Sequence, residues 1–146
     1  MSTYSFLDIT GSMTGPTGVI DLGAGSANSE EGITIAMVEN KNTMTIGADG
    51  EGMHSLHAGK AGTVTVNLLK TSPVNKKLSL AYNAQSQSSA LWGNNVFVFR
   101  NTASGDIMTA RGGAFQKHPD WQNAKEGGTV AWVFDCIKID PFLGEY

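Results

Sequence analysis

The sequence is short of charge: only 16% of its 146 residues are Asp, Glu, Lys or Arg, against about 25% in a typical soluble domain. With so few solvated side chains, either the protein is prone to non-specific association or much of its surface is buried against neighbouring molecules. The net charge is −3, and no basic cluster exceeds the pair Lys76-Lys77. Because tight binding to nucleic acid needs a basic surface for phosphate contacts, this composition disfavours a nucleic-acid-binding protein.

Cysteine and long apolar segments are also scarce. Cys136 is the only cysteine, which excludes an internal disulfide, favours a reducing compartment and predicts a small buried hydrophobe rather than a nucleophile. No segment approaches the ~20 apolar residues of a membrane-spanning helix, and no basic segment followed by an apolar one opens the chain. We therefore expect no membrane insertion, no export by a standard signal, and one domain over residues 1–146.

Catalytic and metal-binding patterns are missing as well. His54 and His57 lie three residues apart, but no third ligand follows at a zinc-site spacing. Asp49–Gly52 has a hint of a calcium loop but lacks its closing glutamate, which favours a turn. His57–Thr63 lacks the first glycine and the following helix of a phosphate loop, and no serine lies in a nucleophile elbow. We predict no enzymatic activity, no cofactor and no metal.

The strongest positive pattern is the stretch Gly32–Gly47. It predicts a β-hairpin with arms Ile33–Val38 and Thr43–Gly47. A two-residue turn between the arms would pair Met37 with Met44 and Ile35 with Ile46 on one face, which we expect to point into the subunit core. The opposite face is small and uncharged, with Thr34, Ala36, Val38, Thr43 and Thr45.

Further strands are predicted where apolar residues alternate or run together, and turns where Gly, Pro and Ser gather. The predicted strands are Tyr4–Thr10, Val19–Leu22, Met53–Leu56, Thr63–Lys70, Asn95–Arg100, Asp106–Lys117 and Thr129–Asp140. In Thr63–Lys70, the residues Val64, Val66 and Leu68 fall on one side and Thr63, Thr65 and Asn67 on the other. The predicted connections are Gly11–Gly18, Gly23–Gly32 and Gly47–Gly62.

One helix is predicted, with Ser72 as N-cap, Pro73 in the first helical position and an end at Gly93. Its buried stripe would be Val74, Leu78, Ala81 and Gln85. A single helix among at least six strands predicts a mainly β fold, an antiparallel β-sandwich or barrel flanked by one α-helix. All four prolines lie outside the predicted strand interiors, and few lysines protect the strands, so the sheet edges are open to pairing with another copy of the chain.

The segment Glu31–Pro73 also resembles a family of bacteriophage proteins that form the inner tail tube of contractile-tailed phages. The resemblance continues through Tyr82–Gln85, Ser89–Gly93, Arg100–Asp106 and the last strand, whereas Ser5–Leu22 and Gln116–Glu126 look more individual. It implies a tail-tube domain that assembles as hexameric rings. The rings would stack into a hollow cylinder inside a contractile sheath, and DNA would pass through without specific binding.

The resemblance further implies that the chain binds copies of itself, the tail sheath protein, and tape-measure and baseplate or tail-terminator proteins. The expected location is the virion, assembled in the host bacterial cytoplasm. On this interpretation the loops Gly23–Gly32 and Gly47–Gly62 make subunit or ring contacts. The candidate lumen-facing residues are Thr34, Ala36, Thr43 and Thr45, and the candidate contact residues are Ser26, Asn28, Glu30, Asp49, Glu51 and His54.

Two alternatives stay open from the sequence. A tube protein of a type VI-like bacterial secretion system has a similar fold, and the chain alone does not separate it from a phage tube. A ligand-binding or enzymatic β-barrel is the other, and it should show polar or titratable groups that converge in a cavity.

Overall fold

The computed structural model describes residues 2–146, and its secondary structure is mainly strand. A 3-10 turn at Phe6–Asp8 is followed by nine strands and one helix within those residues. The strands are β1 Ile9–Gly15, β2 Gly18–Asp21, β3 Asn28–Met37, β4 Asn42–Ile46, β5 Gly52–Leu56, β6 Gly62–Leu69, β7 Asn95–Asn101, β8 Asp106–Phe115 and β9 Thr129–Phe142. The helix α1 covers Val74–Gln85. No helix in the described part of the chain is long and apolar enough to cross a membrane.

Seven of the strands form one antiparallel sheet in the order β2-β1-β7-β8-β9-β6-β3, which curls into a half-barrel. The remaining two, β4 and β5, pair only with each other in a separate two-stranded sheet. The predicted antiparallel β fold with one helix is therefore confirmed. The half-barrel has two free edges, β2 and β3, because no described strand closes it.

Alternation of side chains gives the large sheet a buried face and an open one. On β6, Val64, Val66 and Leu68 are fully buried while the threonines between them are half-buried on the opposite side, as the sequence predicts. The aromatic residues Phe97 of β7 and Phe134 of β9 pack together in the same core, with ring centroids 4.7 Å apart. We call the buried side the core face and the other side the outer face.

Helix α1 crosses the core face at one end of the sheet. Its first turn is held by a hydrogen bond from Asn75 Nδ2 to the carbonyl of Leu69 at the end of β6, 3.0 Å. Its last residue, Gln85, exchanges two amide hydrogen bonds with Asn95 at the start of β7, of 2.9 and 2.8 Å. Both ends of the helix are thus fixed to the same end of the sheet.

The predicted helix is largely confirmed, including the buried stripe Val74, Leu78, Ala81 and Gln85. It begins one residue later than predicted, and the hydroxyl of Ser72 accepts a hydrogen bond from the Val74 amide, 3.3 Å. The predicted end at Gly93 is wrong, because the serine-rich residues after Gln85 form turns. Serine hydroxyls compete with the helical backbone for hydrogen bonds, and Ser88 Oγ accepts from the Ala90 amide here.

The predicted hairpin between Ile33–Val38 and Thr43–Gly47 is wrong. Ile35 pairs with Val64 of β6 rather than with Ile46, and Met37 pairs with Gly62 rather than with Met44. The tight turn lies one strand later: Gly47 donates to the carbonyl of Glu51, 2.7 Å, and Gly50 adopts a positive φ of 89°. A glycine in this left-handed region suits a hairpin turn better than the polar residues 39–42.

Three predictions in the first 32 residues also need correction. The predicted strand Tyr4–Thr10 is interrupted by the 3-10 turn, and the predicted break Gly11–Gly18 is mostly the strand β1. Gly11 is needed for packing rather than for a turn, because a Cβ there would overlap the ring of Phe99. The predicted loop Gly23–Gly32 ends at Asn28, where β3 begins and then bulges before Ile33.

Candidate assembly surfaces

The outer face of the half-barrel carries two rows of small, uncharged side chains beside charged residues that include Arg111, Lys138 and Asp140. Thr34, Thr65 and Val133 lie side by side across β3, β6 and β9. On the other half of the sheet, Ser12, Val98 and Thr109 form the equivalent row across β1, β7 and β8. Because α1 and most of the core occupy the opposite face, these rows are the part of the sheet that is open to a molecule passing along it.

The hairpin of β4 and β5 projects from the opposite end of the sheet to α1, within the segment Val38–Ala61 that we call the arm. Every residue of β4 is exposed. Asn42, Met44 and Ile46 share one side of the arm with Leu56, since Asn42 pairs with Leu56. Met44 is 60% exposed, Ile46 57% and Leu56 81%. Two-stranded hairpins are marginally stable in water, so these exposed apolar side chains indicate a contact surface for another molecule.

The two arm histidines are engaged separately. His54 lies 3.2 Å from the side-chain amide of Asn42, and His57 lies 2.7 Å from the hydroxyl of Thr43. No group of three potential metal ligands occurs within residues 2–146. The histidines therefore brace the arm through hydrogen bonds to its first strand.

The two free edges of the half-barrel differ in how they are protected. The first half of β3 carries Glu30 and Glu31 and departs from regular pairing with β6, so a partner strand would meet charge and a bulge there. The second half, Ile33–Met37, is regular and carries neither Pro nor Lys. This half of β3, and β2 at the other edge, are open to strand addition.

A cavity of about 590 Å³ opens beside the first half of β3. Its floor is apolar, with Phe6, Ile33 and Met108 among its lining residues. Glu31 at its rim accepts a hydrogen bond from the Ser29 hydroxyl, 2.6 Å, and this bond, with one from the backbone, holds the pKa of Glu31 below its usual value. A carboxylate that is easier to ionise is poorly suited to act as a general acid at neutral pH.

Three charged residues meet on the outer face near the arm. Asp140 accepts from Arg111 Nη2 at 2.8 Å and from Lys60 Nζ at 3.4 Å. Desolvation raises the pKa of Asp140, but the hydrogen bonds and charges of Lys60 and Arg111 outweigh it, so the pKa lies below its ordinary value. Two of the few cations on this face are thus neutralised by one carboxylate.

This arrangement predicts a pH-dependent effect of Asp140→Asn. A carboxyl group whose pKa is lowered on folding stabilises the native state above its unfolded pKa of about 3.9, and that stabilisation is lost as pH falls through the folded pKa. We expect the variant to have a slightly lower urea midpoint than the parent protein at pH 7, and the difference between the two midpoints to be smaller at pH 3. An equal difference at both pH values would contradict this role for the ion pairs.

Cys136 is buried, as the sequence predicts. Burial, with a smaller contribution from the charge of Asp135, raises the pKa of its thiol to about 11. The thiol therefore stays protonated at neutral pH, and a protonated thiol is a poor nucleophile.

The predicted site residues do not form one surface. Thr34 and Ala36 lie on the outer face, but Thr43 and Thr45 lie on the arm, on the side away from Met44. Of the candidate contact residues, Asp49, Glu51 and His54 are exposed on the arm and Glu30 is exposed on β3. Ser26 and Asn28 are turned inward, and their side chains donate to the carbonyls of Asp21 and Leu22 at 3.0 and 3.1 Å.

Sequence reasoning missed the exposed apolar side chains. Met44 and Ile46 were expected in the core, and nothing in an alternating strand pattern says whether its apolar face meets the same subunit or another one. The exposed pair Val19 and Leu80 was also missed, since these residues are distant in the chain and only the folded helix brings them to one groove.

The family comparison decides which kind of protein uses these surfaces. The model of the bacteriophage PhiTE tail tube protein family matches residues 1–144. The chain belongs to this tail tube family. The resemblance seen in the sequence is therefore confirmed, and the chain is a structural component of a phage tail.

One solved structure shares the fold of this tail tube protein. The tube terminating cap of the anti-feeding prophage, solved by cryo-EM, has a TM-score of 0.59 and 6% sequence identity, and the match covers 99% of this chain and 93% of that chain. A chain from the six-fold symmetrised baseplate of the same prophage has a TM-score of 0.43 and 12% identity over 97% of this chain and 94% of that one. At these identities the first likeness shows the fold alone. No curated protein sequence matches this tail tube protein.

Proposed function

We propose that the protein assembles as hexameric rings that stack into the inner tube of a phage tail, through which DNA passes to the host. Membership of the tail tube family supports a structural role. The observation that carries the proposal is the combination of an open half-barrel with a projecting apolar arm. The free edges offer unpaired backbone groups and the arm offers exposed apolar side chains, and further copies of the chain would cover both.

Ring closure follows from the two free edges. β2 of one subunit and the second half of β3 of its neighbour offer unpaired backbone groups at opposite ends of the sheet order. An interface between two different edges repeats from copy to copy, and it closes into a ring when the rotation between copies allows. The outer faces of the six sheets would then form a continuous wall around a channel.

The small, uncharged rows of the outer face suit a DNA conduit. Each Lys or Arg that neutralises a phosphate adds salt-dependent attraction, and Thr34, Thr65 and Val133 provide none. Six copies of a chain with a net charge of −3 carry a formal charge of −18 per ring. DNA would therefore slide past the wall without specific binding.

The same assembly defines the other proposed partners. The tube would lie inside the tail sheath, enclose the tape-measure protein and end at baseplate and tail-terminator proteins. Assembly would take place in the bacterial cytoplasm from single-domain subunits that need no cofactor. The family model describes a phage tube, which favours a phage tail over a bacterial secretion tube.

Sedimentation velocity over a range of protein concentrations, with negative-stain microscopy of the same samples, tests the proposal. We expect a concentration-dependent boundary at six times the subunit mass, and rings or tubes with a central hole on the grids. A protein that stays monomeric at all concentrations would contradict it.

A further inference from the structure

The two free edges of the half-barrel run in the same direction. Six antiparallel pairings lead from β2 to β3 across the sheet, and an even number of reversals leaves two strands parallel. In the proposed ring, β2 of one subunit pairs with Ile33–Met37 of its neighbour. Because the two strands are parallel, the turn that precedes β2 then lies beside the residues that precede Ile33, which are Ser29–Gly32.

The segment Ser29–Gly32, which we call the β3 bulge, is acidic and irregular. The pairing of β3 with β6 shifts its register between Asn28 and Ile33, and such irregular backbone disfavours the addition of a strand. Glu30 and Glu31 are both exposed. Neither carboxylate takes part in an ion pair among the described residues. The β3 bulge therefore offers free negative charge at a part of the edge that needs another kind of contact.

The other edge has an apolar groove with one cation. The groove has a volume of about 330 Å³ and lies between α1 and the turn that joins β1 to β2. Val19 and Leu80 line it, and both side chains are exposed. Lys77 is exposed in its wall and has no ion-pair partner within residues 2–146. The groove therefore suits an occupant that carries negative charge beside apolar atoms.

The cavity beside the β3 bulge supplies the matching apolar surface. Glu30 and Glu31 both line this cavity above its apolar floor. Arg100 and Asp106 also line it, and their opposite charges leave the two glutamates as its net charge. Leu80 of α1 is 60% exposed in the single subunit. The cavity thus combines carboxylates with apolar side chains, and the groove combines a cation with apolar side chains, so the two free edges are complementary.

We propose that the β3 bulge of one subunit docks against the groove beside α1 of its neighbour in the same ring. Glu30 faces Lys77 of the neighbouring copy, and Leu80 of that copy covers the mouth of the cavity. The inference rests on the proposed ring and adds a side-chain contact to the strand pairing. Paired strands tolerate a wide range of twist, so backbone hydrogen bonds alone leave the angle between two copies loosely set. A second contact beside the strands restricts that angle, which is what ring closure requires.

Exchange of charge between the two edges tests this contact. Glu30→Lys and Lys77→Glu should each raise the protein concentration at which half of the subunits are in rings by about tenfold, because like charges then meet at every junction. Both changes in one chain should restore ring formation, because the attraction is re-established with its sign inverted. Sedimentation velocity over a range of concentrations measures ring formation. Thermal melts of the monomeric variants should match the parent protein, since both side chains are exposed in the free subunit.

Lys76→Glu is the matched control for Lys77→Glu. It makes the same change of charge one residue earlier on α1, but Lys76 does not line the groove, so its rings should form as in the parent protein. Glu126→Lys serves in the same way for Glu30→Lys. An equal loss of rings in the controls, no loss in either reversal, or no recovery in the double variant would overturn the contact while leaving the ring proposal standing. Failure of the unaltered protein to form rings would instead overturn the proposed function and the contact together.

Discussion

Ile46→Asp is expected to abolish tube assembly without unfolding the subunit, whereas Ile35→Asp is expected to unfold it. The two isoleucines look equivalent in the sequence, where each alternates with threonine. In the structure Ile35 packs against the core of the half-barrel, and Ile46 is exposed on the arm. The same substitution should therefore separate assembly from folding.

The size of each effect follows from what surrounds the new carboxylate. Placing a charge against the core at position 35 costs several kcal/mol, a large part of the 5–15 kcal/mol, roughly, that holds a domain folded. At position 46 the carboxylate is solvated in the free subunit, so the unfolding midpoint should change little. It would become buried only in the proposed tube, where it should weaken each repeated contact.

Circular dichroism melts and sedimentation of the two variants measure these effects side by side. We expect Ile46→Asp to melt within a few degrees of the parent protein and to form no tubes. Ile35→Asp should be insoluble or molten. Thr34→Asp is the control for placing a carboxylate in β3. Thr34 is adjacent to Ile35 in the chain but lies on the outer face, so this variant should fold. Tubes formed by Ile46→Asp at normal yield would show that the apolar side of the arm makes no assembly contact.

Thr34→Lys is expected to convert a channel that binds DNA weakly into one that binds it tightly at low salt. Thr34 lies on the outer face, and a hexameric ring would place six new cations around the channel. A protein that neutralises six to ten phosphates loses about 10³–10⁵ in affinity between 50 and 200 mM salt. Stacked rings would repeat such contacts along the duplex, so binding should be strong at low salt and steeply salt-dependent.

Binding of duplex DNA to assembled tubes, measured by fluorescence anisotropy at several salt concentrations, provides the test. Tubes of the parent protein and of Thr34→Gln, an uncharged control of similar length, should bind weakly at moderate salt. Thr34→Lys tubes should bind at least tenfold more tightly at 50 mM salt and lose this gain at high salt. Equal binding by the Lys and Gln variants would contradict the assignment of the outer face to the channel.

The elements that depend on local periodicity could be predicted from the sequence. β6 shows its alternation directly in Val64, Val66 and Leu68, and α1 shows its stripe from Val74 to Gln85. Proline at the start of the helix and the paired glycines before β9 mark boundaries that need no tertiary information. The same alternation predicts the small side chains on the outer faces of β3 and β6.

The strand pairing could not be predicted, because it depends on contacts between distant segments. β3 and β4 are neighbours in the chain and have similar patterns, yet β3 pairs with β6 and places Ile33 and Ile35 against the core. The sequence predicts a turn at Gly11, but position 11 lies in a strand. Glycine is required there because the Phe99 ring leaves no room for a side chain. Met44 is exposed in the single chain, and the neighbouring subunit that we propose would cover it is information that a single chain does not contain.

A cryo-EM reconstruction of tubes grown from the purified protein tests the central claim most directly. The account predicts six subunits per ring, the outer face with Thr34 and Thr65 lining the channel, strand pairing between subunits at the free edges, and each arm on a neighbouring copy. A tube whose channel is lined by the helix side, or an arm that points into solvent in the assembled wall, would contradict it.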